Sequence, residues 1–308
     1  MTHQHSKPAF AVPPGACDCH MHVYGPLAAY PAAPQRSYTP REASLADYLD
    51  MAGTLGLERV VFVQGSAYGS DNRCLKDTLR ALGASGRGVA VIDRETPDSE
   101  LAALHAAGVR GARVNAETFG LRSAADVAGL ITQTAERLRP FGWHLQLFAA
   151  LPTIADLYPV LNRLPVPLVI DHMGMAQAAR GTDQPGFDRL LALLSDGAWV
   201  KVSGAYRVSS AEPGFADAAV IARALIAANP ERIVWGSDWP HTGKHANARR
   251  ETAPLIDYRP LDDGRLLDLL AGWVDGDAAL LQRILTDNPA ALYGFAEGAR
   301  HGRQDLRA

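Results

Sequence analysis

ACDCHMHV, residues 16–23, is a short run of mostly apolar side chains bounded by Gly15 and, two residues on, by Gly25-Pro26, and it sets the frame for the whole chain. A run this short reads as a β-strand. Seven more follow in order: RVVFVQ, RGVAVID, RGARVN, WHLQLF, PLVIDH, WVKVSG and RIVWGSD, the last ending at Asp238. Between them lie LADYLDMAGTLGL, SELAALHAAGV, AADVAGLITQTAERLRP, FDRLLALLSDG and DAAVIARALIAANP, most with apolar residues at i, i+3, i+4 spacing. Eight β/α units over roughly 250 residues predict a (β/α)8 TIM barrel. A doubly wound open sheet would call for a Gly-rich phosphate turn after the first strand, and HMHVYGPLAAYPAAPQ has none.

The expected organisation is a disordered or extended arm over 1–14, one barrel domain over 15–296 and a frayed tail over 297–308. Residues 23–40 lack periodicity and should form a long first βα loop over the barrel mouth. DDGRLLDLLAGWV and DAALLQRILTDNPAALYGF read as extra C-terminal helices that close the domain. The 308 residues carry 30 Lys+Arg against 33 Asp+Glu, and no basic run could track a phosphate backbone, so nucleic acid is not an expected partner. Three cysteines, Cys17, Cys19 and Cys74, argue against a disulfide framework and for a reducing, cytoplasmic location. Neither a signal-peptide pattern nor a run of about 18 apolar residues occurs, so no membrane partner is expected. Nothing in the sequence fixes an oligomeric state.

In a barrel, chemistry gathers at the C-terminal ends of the strands. Strand parity puts Asp18, His20 and His22 on one face, read as the lumen, and leaves Cys17, Cys19 and Met21 for the helices. His172 ends the sixth run, with Gly174 permitting a sharp exit, and Asp238 ends the eighth. Three histidines and an aspartate converging on one lumen need compensation, which favours function over packing. Arg113, Arg207, Tyr206, Asn72, Gln64 and Tyr38 are the candidate substrate-binding residues. His144 opens its strand at the opposite end and reads as packing. His3 and His5 also form an HxH pair, but beside no evident partner.

The set CDCHMHVYGP, YTP, GSDNR, GVRGARVN, DHMG, VKVSG, GSDWPH and DNPAALYGF resembles the amidohydrolase superfamily. It looks most like the branch containing 2-pyrone-4,6-dicarboxylate lactonases, sulfomuconolactone hydrolases and galactarolactone isomerases. The resemblance spans about residues 15–296 and implies an amidohydrolase-type barrel acting on small anionic lactones, in aromatic or sugar-acid catabolism. It assigns Asp238 to the attacking water, His20, His22 and His172 to the lactone carbonyl, and Arg113 with Arg207 to substrate carboxylates. A further arginine of the dicarboxylate lactonases is replaced near Phe119, and the eighth-strand aspartate, which the isomerases tend to replace, is kept.

A dinuclear metal site would want a lysine on the fourth strand and a histidine on the fifth, where this chain offers Asn115 and Gln146 or Phe148. No cofactor is therefore expected to be required; the alternative is one Zn²⁺ on His20, His22, His172 and Asp238. The alternative functions are a metal-dependent amidohydrolase or decarboxylase, a lactone isomerase, or a non-catalytic sensor of carboxylated metabolites.

Overall fold

The computed structural model describes residues 5–117, 124–243 and 253–296. His3, Phe119 and the tail from Glu297 lie outside the described residues. Eight strands form one parallel sheet: β1 (Cys17–Met21), β2 (Arg59–Val63), β3 (Gly86–Ala90), β4 (Val109–Asn115), β5 (His144–Phe148), β6 (Leu168–Ile170), β7 (Trp199–Ser203) and β8 (Ile233–Gly236). Their order in space is their order in sequence. Just past β1 and β8, the His22 N–H donates to the Trp239 carbonyl (2.9 Å) and the Asp238 N–H to the His20 carbonyl (2.8 Å). Those bonds close the ring, and the protein is a (β/α)8 barrel, as the eight apolar runs predict.

Closure demands a close approach. A Cβ on Gly236 would lie 2.6 Å from the Cβ of His20, so only glycine lets the last strand meet the first here. Helices cover the outside, beginning with α1 (Leu45–Leu55), α2 (Arg73–Leu82), α3 (Asp98–Ala106), α4 (Ala124–Leu138), α5 (Leu151–Leu161), α6 (Phe187–Ser195), α7 (Ala219–Ala228) and α8 (Asp263–Trp273). The first shows the local logic: Ser44 and Asp47 form a reciprocal capping box at its start, and Gly56, in the left-handed region, ends it. Among the described residues no helix is long and apolar enough to cross a membrane.

The expected orientation of β1 is wrong in one respect. Its pairing with β2 slips between Asp18 and Met21, a bulge that breaks strict alternation. Cys17 and Cys19 pack with Val61, Val63, Val89, Val169, Trp199 and Val234, which come from strands all around the ring and can meet only in the lumen. Asp18 instead leaves the lumen. Its carboxylate accepts from the Tyr48 hydroxyl on α1 (3.2 Å), the Ser237 hydroxyl (2.5 Å) and the Ser237 N–H (3.0 Å), clamping β1 to the end of β8.

The lower lumen is closed by the chain's C-terminal segment. Tyr293 and Phe295 join the same apolar cluster, and Tyr293 meets the edge of His144 at 5.3 Å between ring centres. His144 is thus a packing residue, placed where a Cβ on Gly111 would strike its ring. The first βα loop reaches the mouth, where Tyr24 and Tyr38 lie buried with their hydroxyls 2.7 Å apart. The N-terminal arm is tied down by α8: Ser6 donates to Asp262, and Ala9 N–H donates to Asp268. His5 lies 3.2 Å from Asp263, so the expectation that it stands beside no partner is corrected.

Candidate active site

At the upper end of the lumen, His22 follows β1, His172 lies two residues beyond β6 and Asp238 two beyond β8. Backbone strain marks two of these: His172 (φ 50°) and Asp238 (φ 62°) both occupy the left-handed region, at a cost of about 1–3 kcal/mol each. The exit after His172 does run through a left-handed Gly174 (φ 62°), but the left-handed backbone begins two residues earlier, at His172 itself.

The four side chains converge. Asp238 Oδ1 lies 3.5 Å from Nε2 of His22, 3.7 Å from that of His20 and 3.9 Å from that of His172. Asp238 Oδ1, His20 Nε2 and His172 Nε2 are all buried without a hydrogen-bond partner. Such orphaned polar atoms are what a binding site for water, substrate or a cation leaves behind. The other carboxylate oxygen, Oδ2, accepts from Arg207 Nε (2.5 Å) and the Tyr206 hydroxyl (2.5 Å), both on the short helix Ala205–Val208 after β7. Burial pushes the Asp238 carboxyl up, but Arg207 and the facing imidazoles outweigh it and hold the group well below the usual carboxylate range. The resting site therefore holds Asp238 as a carboxylate.

The outer ring nitrogens fix what each histidine can do. His22 Nδ1 lies 2.8 Å from the Val63 carbonyl, which can only accept, so neutral His22 carries its proton on Nδ1 and turns a lone pair on Nε2 toward Asp238. His172 Nδ1 meets the Ser203 hydroxyl at 2.9 Å, which can donate and leave the proton on Nε2. Burial lowers His172 to about 3 and His20 well below its ordinary value, so both are neutral at neutral pH.

Below this ring lies a charged layer that reading the sequence missed. Asp171, fully buried, accepts from Arg113 Nε (2.9 Å) and Gln146 Nε2 (3.0 Å) through Oδ2. Lys201, also fully buried, donates to the Cys19 carbonyl and to Gln146 Oε1, both at 2.8 Å. Burial pushes Asp171 up, yet Arg113, His20 and Lys201 hold it well below its usual range. Two signals were available. Lys201 alternates with Val200 and Val202 in WVKVSG, and a charged residue on one face of an apolar strand demands a partner; Asp171, directly before His172, is that partner.

The remaining candidates divide. Phe148 gathers both arginines, with the Arg113 guanidinium 4.9 Å and that of Arg207 5.8 Å from its ring centre, and it meets the His172 ring at 5.1 Å. Tyr38 sits in the mouth beside Ser66. Asn72 is spent on backbone: its amide donates to Ser70 and Val91 carbonyls and accepts from the Val91 N–H. Gln64 donates to the Asp71 carbonyl (2.6 Å). These two hold the loop after β2.

His20, His22 and Asp238 bring one ligand atom each within 4.8 Å of one another, so their donor set fits a single divalent ion. His20, Asp171 and His172 form a second such trio, but Arg113 and Lys201 already stand against Asp171, and β4 and β5 supply Arg113, Gln146 and Phe148 in place of bridging ligands.

Curated relatives match nearly end to end. A 2-pyrone-4,6-dicarboxylate hydrolase of Comamonas testosteroni is 35% identical over 94% of this chain and 93% of its own. A 4-sulfomuconolactone hydrolase of Rhizobium radiobacter is 35% identical over 93% and 92%. A D-galactarolactone isomerase of Agrobacterium fabrum is 34% identical over 93% of each. The amidohydrolase family model matches residues 17–295, the span that runs from the first residue of β1 to the plug under the lumen, and the chain belongs to the amidohydrolase family.

Proposed function

We propose that this protein is a hydrolase that opens a small anionic lactone by attack of water on the ring carbonyl. The observation that carries the reading is the pairing of an ionised, half-satisfied Asp238 among three imidazoles with two arginines flanking one aromatic ring. Asp238 Oδ1 and the lone pair on His22 Nε2 are two acceptors 3.5 Å apart, suited to hold the two hydrogens of one water. His20 and His172 take the opposite role, offering Nε2–H groups to the carbonyl oxygen as negative charge develops there. Arg113 and Arg207 each use Nε on an aspartate, and their terminal nitrogens are assigned to the substrate's carboxylate. A carboxylate that draws on Arg207 weakens its grip on Asp238 and raises the basicity of that group at the moment it is needed.

Hydrolysis is preferred over isomerisation because Asp238, the proton acceptor for water, is present and oriented. A divalent ion on His20, His22, His172 and Asp238 would supply a Lewis acid and lower the pKa of a bound water. We favour catalysis without it: Arg113, Lys201 and Arg207 against Asp171 and Asp238 already leave the site cationic. Three buried free thiols suit a reducing, cytoplasmic location.

A panel of carboxylated lactones and their neutral methyl esters, followed by acid release with and without chelator, tests the reading. Turnover of the carboxylated forms, unchanged by chelation, is expected. Equal turnover of the neutral forms would remove the arginine clamp, loss on chelation would restore the metal, and consumption without acid release would make the protein an isomerase.

A further inference from the structure

We propose that Lys201 is a positioning residue that fixes the proton of His20 on Nε2, the atom facing Asp238. The mechanism above uses His20 but leaves open which ring nitrogen carries its hydrogen; the charged layer beneath decides it.

Two groups face His20 Nδ1 from below. Lys201 Nζ is 3.4 Å away and aligned for a hydrogen bond. Asp171 Oδ1 is nearer, 3.2 Å away, but it is buried without a hydrogen bond of good geometry. The two neighbours demand opposite tautomers. An aspartate would draw the hydrogen to Nδ1 and leave a lone pair on Nε2; an ammonium needs the lone pair on Nδ1 and so sends the hydrogen to Nε2.

The ammonium's own bonds settle the competition. Lys201 has three N–H groups, and two are committed to the Cys19 carbonyl and Gln146 Oε1. The Gln146 amide cannot turn over, since its Nε2 donates to Asp171 Oδ2 and a flip would set that donor against the ammonium. The third N–H therefore points into the gap holding His20 Nδ1, with Asp171 Oδ1 3.6 Å away supplying the counter-charge. A hydrogen on Nδ1 would face this N–H head-on at 3.4 Å; a lone pair accepts it. One consequence concerns metal: an Nε2 that bears a hydrogen is a donor to an oxyanion and not a ligand.

The test is the nitrogen spectrum of the full chain with ¹⁵N-labelled histidine at neutral pH, with His20→Gln identifying the His20 signals. It needs no substrate, so its outcome is separable from that of the lactonase reading. His20 is expected to carry hydrogen on Nε2 and none on Nδ1. In Lys201→Met the hydrogen should move to Nδ1, toward Asp171, and kcat on an anionic lactone should fall about 100-fold with KM within about threefold, the loss of one oxyanion donor. A wild-type His20 protonated on Nδ1 overturns the proposal even if the variant fails to fold, and so does a folded Lys201→Met that keeps Nε2–H and wild-type kcat.

Discussion

The two ends of the barrel lumen are built from the same strands yet follow opposite rules. The lower end holds Cys17, Cys19, five strand valines and the Tyr293–Phe295 plug, and its imidazole, His144, is lowered to about 3 by burial. The upper end packs Lys201, two arginines, two aspartates and three histidines into a space almost equally dry. Burial alone would neutralise both ends. The upper end stays charged because each carboxylate there has a guanidinium against it, and the ring of unsatisfied Nε2 and Oδ1 atoms above is what those pairs leave free for chemistry.

If that division is right, substitutions at the two ends should separate activity from stability. The largest effect on activity belongs to Asp238→Asn, which keeps shape but removes the proton acceptor; kcat should fall by about a thousandfold or more in protein that still folds. Near-normal turnover by that variant would sink the assignment. Tyr293→Ala at the lower end should do the reverse, costing about 3–5 kcal/mol in denaturant unfolding with kcat of the folded fraction little changed.

The two arginines sharpen the contrast within the upper end. Arg113→Ala strands the fully buried Asp171 and should destabilise by about 3–5 kcal/mol, whereas Arg207, nearer the solvent, should show its loss in KM for anionic substrates, with a smaller change for neutral ones. Comparable destabilisation by both would mean that the pairs are equivalent scaffolding. Asn72→Ala should give the smallest effect, about 1–3 kcal/mol of stability and kcat within about twofold, since its amide serves Val91 and Ser70.

Acid acts on the buried histidines before it reaches the carboxylates. His144 and His172 have folded values near 3 against an ordinary 6.5, so the unfolded chain binds more protons between those limits and stability falls as pH drops through that window. Asp171 and Asp238 are depressed too, so their contribution is present above the ordinary carboxylate range and is lost only at lower pH, as each folded value is passed. His144→Leu should flatten the first part of a melting-temperature profile between pH 6.5 and 4; an unchanged slope would show that His144 is not buried neutral.

Much of this was legible in the sequence because it depends on local pattern. Each of the eight apolar runs became a strand, and four of the residues at strand ends, His20, His22, His172 and Asp238, came together. What failed was whatever parity could not see. One bulge in β1 turned the cysteines in and Asp18 out, and no spacing rule announces a bulge. Tautomers were equally hidden: His22 differs from its neighbours only because a carbonyl of β2 lies under its Nδ1. Arg113 and Arg207 were found, but their commitment to Asp171 and Asp238 follows from contacts between strands distant in sequence.

The clamp between Asp18 and Ser237 joins positions 219 residues apart. Every part of the site that touches Asp238 therefore waits for the first 238 of the 308 residues to be made, and a nascent barrel without β8 lacks the group assigned to the attacking water. A new chain start placed in an exposed lower loop, with the old ends joined, would bring β1 and β8 out together, and it offers a route to a barrel that assembles its chemistry early.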